Sequence, residues 1–155
     1  MAFEQDFYDA INTLTHDINY SSIFNIKPIK VFIQKGPDNR GCQSYVGRGR
    51  YERDLILSDE CFRDDGVVLH ELVHLLGFRH EHTRIDRDEQ IKIQFDNIQE
   101  GKEKNFDKDH KQYSWLYENV PYDTNSITHY DGHTFSREDY LPTIVDKKTL
   151  KPFTR

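Results

Sequence analysis

Residues 68–84 read VLHELVHLLGFRHEHTR, and this run constrains the chain more than any other. His70, His74, His80 and His82 fall within thirteen positions, with Glu71 and Glu81 among them. Val68, Leu69, Leu72, Val73, Leu75 and Leu76 give the same run an apolar content that a solvated charge run does not carry. The spacing predicts a helix capped at Asp64 or Asp65, running to about Leu76 and stopped by Gly77, because glycine accepts a left-handed backbone at little cost. On such a helix His70 and His74, four apart, stack one turn above the other and can reach one ion. Glu71 sits one residue round the helix, poorly placed as a third ligand but able to hold a water on that ion. His80, three residues past Gly77, can swing back to complete a three-histidine set, leaving a fourth position for water as catalytic zinc requires. The short HExxH pattern arises by chance. The extended HExxHxxGxxH pattern is far more specific. His82 has no place in it and reads as structural or exposed.

The rest of the chain fits a single small domain over residues 1–155. Hydrophobic residues make up 35 %, charged residues 31 % and aromatics 13 %, the last too many for simple disorder. The formal net charge of −6, with acids and bases interspersed, argues against nucleic-acid binding. No run of about twenty apolar residues is present to span a membrane. The N-terminus lacks the order of a signal peptide. Cys42 and Cys61 allow one disulfide or two buried thiols, and composition does not choose.

Periodicity predicts an amphipathic helix over residues 6–18, strands at residues 29–33 and 55–58, and a short extended piece at residues 42–46. Residues 91–93 alternate briefly. Residues 99–112 read as a solvated helix or loop, residues 107–117 as another helical turn, and residues 121–125 as a turn. The tail from Pro142 shows little periodicity.

Past His80 the run supplies Glu81, Arg84, Asp86, Arg87 and Asp88. Together these residues resemble the zinc-binding signature of the astacin family of metzincin metallopeptidases. GCQSYVG at residues 41–47 resembles the stretch before that family's active-site helix, and YDTNSITHY at residues 122–130 resembles its Met-turn. The likeness covers roughly residues 40–145. It implies an α+β, zincin-like fold: a small twisted mixed sheet and an active-site helix over an irregular lower lobe. It implies a zinc-dependent endopeptidase acting on protein or peptide substrates. His70, His74 and His80 would bind one zinc ion, Glu71 would be the general base, and Tyr130 would ligate zinc at rest and stabilise the intermediate. Cys42 and Cys61 would form a disulfide. Substrate would lie extended along an edge strand, placed at Leu55-Ile56-Leu57.

Three departures qualify the likeness. Thr128 stands where the family has methionine, bringing a hydroxyl that needs a partner. The family's mature N-terminus is missing, so Glu81 is expected to lack a cation. The closing helix and its cysteine are missing, which makes the expected product a partial catalytic domain with an incomplete lower lobe. The competing class is an inactive, zinc-bearing interaction domain. The chain is expected to act as a monomer, from a secreted parent whose signal lies outside this sequence. Lys147, Lys148, Lys151 and Arg155 either attract acidic side chains of a substrate or form an unstructured basic tail.

Overall fold

A computed structural model describes residues 31–36, 41–47 and 53–154, apart from the side chains of Arg53 and Leu116. The expected helix at residues 6–18 and most of the turn and loop at residues 36–41 and 47–50 lie outside them. The chain divides into two compact units, one ending at Gly77 and the other beginning at Phe78.

The first unit is built on a mixed sheet. Strands β1 (Val31–Lys35), β2 (Cys42–Ser44) and β3 (Arg53–Leu57) lie in the order β1-β3-β2. β1 runs parallel to β3 with Val31 opposite Arg53; β2 runs antiparallel with Cys42 opposite Leu57. β3 is therefore the central strand, and its backbone is already paired on both sides. The expectation that Leu55-Ile56-Leu57 forms an edge is corrected: among the described residues, β2 is an edge strand. Leu55 and Leu57 are fully buried, while Asp54 and Ile56, which alternate with them, are not, as the period of two requires.

A 3-10 turn (Asp59–Arg63) leads into helix α1 (Asp65–Leu75). Asp64 caps the helix by accepting a hydrogen bond from the Gly66 N–H at 2.8 Å. α1 lays Val68 into a core with Leu55, Leu57 and Cys61, and Ile33, Phe62, Val67, Leu72 and Leu75 pack against it. Each fully buried leucine contributes roughly 1.5–3 kcal/mol. A Cys42–Cys61 disulfide closes the ladder onto the turn before the helix, which settles the choice between bridge and thiols.

The second unit has little regular structure. Strands β4 (Ile91–Ile93) and β5 (Ile144–Asp146) form an antiparallel ribbon with Ile93 opposite Ile144. Around it run 3-10 turns at Glu81–Thr83, Arg87–Glu89, Phe95–Asn97, Glu103–Phe106 and Lys111–Leu116. Ile91, Ile98, Phe106 and Ile144 form its apolar core. The aperiodic tail proves to be structural. Thr143, Ile144 and Val145 are buried, Val145 bridges to Pro152, and the Lys147 ammonium donates to the Asp88 carbonyl at 2.6 Å. The segment at residues 99–112 is mostly exposed but anchors itself by the fully buried Phe106.

Candidate metal centre

In the first unit, α1 presents His70 and His74 as the sequence spacing requires. Their Nε2 atoms lie 2.9 Å apart and their rings meet edge to face, at 4.5 Å between centroids. The His74 carbonyl accepts hydrogen bonds from the N–H groups of both Gly47 (2.7 Å) and Gly77 (2.8 Å). Both glycines have positive φ, +66° and +105°, and a Cβ on Gly47 would come within 3.2 Å of the Gly77 Cα. A side chain at Gly47 would press the loop after β2 against the end of the helix, and at either position the positive φ favours glycine.

Glu71 lies between the two histidines in sequence and is buried. Burial pushes its carboxyl up from 4.5 to about 6, opposed by a hydrogen bond from the Ser44 backbone N–H. That bond ties the carboxylate to edge strand β2, a contact that sequence reasoning missed because a backbone donor leaves no mark in the side-chain pattern.

In the second unit, His80 precedes the 3-10 turn Glu81–Thr83 with its backbone extended. Its ring centroid lies 4.8 Å from that of Tyr130. His82 is fully buried and stacks on Tyr130, at 3.9 Å between centroids and 25° between planes. Burial holds the His82 imidazole well below its usual titration range. The Glu81 N–H donates to the Thr128 carbonyl at 3.3 Å, joining the third histidine's segment to the Met-turn stretch. The Thr128 hydroxyl is buried but lies 3.1 Å from Ser126 Oγ, so it has the partner it needs.

Glu81 does have a cation. Arg84 Nη1 donates to Glu81 Oε1 at 2.9 Å, and the Asp123 N–H donates to the same oxygen at 2.9 Å. Arg84 is itself buried. It reaches Asp86 Oδ2 at 2.7 Å and the Val120 carbonyl at 2.9 Å, and lies over the Tyr117 ring. The expectation of an uncompensated Glu81 fails because a guanidinium three residues away supplies the charge.

The profile of the astacin peptidase family matches residues 9–153. This chain belongs to the astacin family. It is 44 % identical over 108 residues to zinc metalloproteinase nas-14 of Caenorhabditis elegans, covering 69 % of this chain and 21 % of that protein. Over 109 residues it is 46 % identical to bone morphogenetic protein 1 of Xenopus laevis, covering 69 % of this chain and 15 % of that protein. Its fold is similar to that of high choriolytic enzyme 1, a hatching enzyme zinc-protease from Oryzias latipes. The TM-score is 0.71 at 30 % identity, over 84 % of this chain and 62 % of that one. The chain thus spans about a fifth or less of the two curated relatives' length.

The astacin zincin-like α+β architecture is the one described above, and the cofactor is zinc. The donor chemistry of α1 fits that metal. Bonds of about 2.0–2.1 Å to a tetrahedral zinc place two imidazole nitrogens roughly 3.3 Å apart. The Nε2 atoms of His70 and His74 are already at nearly that separation. No helix among the described residues is long and apolar enough to cross a membrane.

Proposed function

We propose that this astacin domain is a zinc-dependent endopeptidase that hydrolyses internal peptide bonds of protein substrates outside the cell. His70, His74 and His80 hold the ion, and Tyr130 is a fourth, exchangeable ligand at rest. The observation that carries the reading is Glu71: a buried carboxylate on the helix that offers the paired imidazoles, with its carboxyl raised to about 6. A base tuned upward in this way is mostly ionised at neutral pH yet binds a proton better than an ordinary carboxylate.

Zinc, when bound, supplies Lewis acidity that polarises a carbonyl and acidifies a water. The chain's own groups do the rest. Glu71 accepts the water's proton and passes it to the leaving amine nitrogen. The Tyr130 hydroxyl donates to the oxyanion that develops on the scissile carbonyl. β2, an edge strand among the described residues, is where an extended substrate would lie, and the Ser44–Glu71 hydrogen bond sets the base beside that strand. Recognition through main-chain bonds suits cleavage within a polypeptide.

The test is hydrolysis of quenched casein by the purified chain, before and after chelation and zinc restoration. Activity that survives chelation would remove the proposal.

A further inference from the structure

We propose that His82 is a positioning residue for Tyr130, stacking on the phenol ring and limiting the orientations its hydroxyl can take. The inference rests on the reading of Tyr130 given above and adds to it a residue outside the zinc-ligand pattern. The stack at 3.9 Å and 25° is face to face, the closest aromatic approach that Tyr130 makes among the described residues. Phe106 and Phe135 meet the same ring edge-on, at 5.9 and 5.8 Å. The phenol is thus stacked on an imidazole, with two phenyl rings packed nearly perpendicular to it.

An imidazole makes a better wall here than an aliphatic side chain because it is itself fixed. A carbonyl only accepts, so at 3.0 Å from the Asn105 carbonyl the His82 Nε2 is the donor. That bond pins the His82 ring plane to the turn Glu103–Phe106, which carries the fully buried Phe106. Tyr130 is held at its main chain as well. His129 Nδ1 donates to the Tyr130 carbonyl at 2.6 Å, and the Tyr122 hydroxyl donates to His129 Nε2 at 2.8 Å. With the backbone fixed by one histidine, the remaining freedom of Tyr130 is rotation of its side chain, and the stack with His82 limits it. A group that acts on a developing charge loses rate steeply when misplaced.

The test uses the full zinc-loaded chain with isotope-labelled tyrosine rings, the Tyr130 signals being assigned from Tyr130→Phe. The wild type should show cross-relaxation between the Tyr130 and His82 rings and upfield-shifted Tyr130 ring protons. In His82→Leu the upfield shift should vanish and kcat should fall by up to about 100-fold at unchanged KM. His82→Phe, which keeps a flat ring, should restore both. A wild type without the cross-relaxation overturns the proposal, as does His82→Leu with unchanged ring shifts and kcat. Should the leucine variant fail to fold, His82→Phe decides: retained shifts with wild-type kcat support the proposal, and retained shifts with low kcat overturn it. Wild-type kcat in Tyr130→Phe would instead remove the reading of Tyr130, a failure that the ring measurements tell apart.

Discussion

The unit ending at Gly77 joins an apolar core to a covalent bridge, whereas the unit beginning at Phe78 adds to its apolar core a larger set of buried polar side chains. In the first, Leu55, Leu57, Cys61 and Val68 make the core, with β3 paired to strands on both sides and α1 hydrogen-bonded within itself. In the second, His82, Thr83, Arg84, Arg87, Asp109, Thr128, His129 and Thr143 are all buried. They do there what ladders do in the first unit: Arg87 donates to the carbonyls of His82 and Phe106, and Arg84 to those of Val120 and Pro121. A chain without long helices or strands must still pair its buried carbonyls, and guanidinium groups with five donors are suited to it. Stability should therefore be lost in different ways in the two units.

The largest effect is expected at Arg84. Arg84→Ala takes the cation from Glu81 and Asp86 and a donor from the Val120 and Pro121 carbonyls, and should destabilise the second unit by about 3–5 kcal/mol. Arg84→Lys should recover only part of it, since an ammonium cannot bond Glu81 and Asp86 as a fork. Denaturant midpoints for both variants, compared with Leu55→Ala at about 2–5 kcal/mol, would measure the two kinds of core on one scale. An Arg84→Ala midpoint equal to wild type would break the comparison.

The bridge comes next. Cys42 and Cys61 are 19 residues apart, and closing a loop of that size stabilises by roughly 3 kcal/mol in the chain-entropy account. Replacing both cysteines by serine should lower hydrogen-exchange protection in β2 and α1. Amides of the β4–β5 ribbon should keep theirs. Equal loss in both would show that the units do not fail separately.

A smaller effect concerns pH. The Glu71 carboxyl is raised in the folded chain, so the native state holds its proton more tightly than the unfolded state. Stability of the metal-free protein should then fall as pH rises from about 4.5 through 6, by no more than about 1–2 kcal/mol. Glu71→Gln should lack that decline. A wild-type minus variant difference that stays flat across the window contradicts the burial of an ionising Glu71. Smallest of all should be Lys35→Ala, which removes an ion pair with Asp59 at 2.7 Å between two exposed side chains and should cost about 0–1 kcal/mol.

Legibility in the sequence follows the same divide. The helix at residues 65–75, its Asp64 cap and its glycine stop were readable because a period of 3.6 and a capping residue are local signals. So was the strand expected at residues 55–58 and found at Arg53–Leu57, although its central place was not, because strand order is decided by partners far along the chain. The tail was misread: β5 is three residues long, too short for alternation to show, and it exists because Ile144 pairs with Ile93. Glu81 was misread for a related reason. Its cation, Arg84, was in view as part of a family signature, but burial and not sequence turns that arginine inward. The His70–His74 pair was the most legible feature of the candidate site, since a spacing of four on one helix is written in one stretch of chain.

The central claim is that zinc is held by His70, His74 and His80 while Glu71 does the proton transfer, and one paired measurement separates these roles. Zinc content by plasma emission and casein hydrolysis should be read together on wild type, His74→Ala and Glu71→Gln. Wild type and Glu71→Gln should each carry one zinc and His74→Ala should carry none. The wild type should cleave, Glu71→Gln should be slower by about 10²–10⁴-fold, and His74→Ala should not cleave. Full zinc in His74→Ala, or wild-type cleavage by Glu71→Gln, would contradict the account.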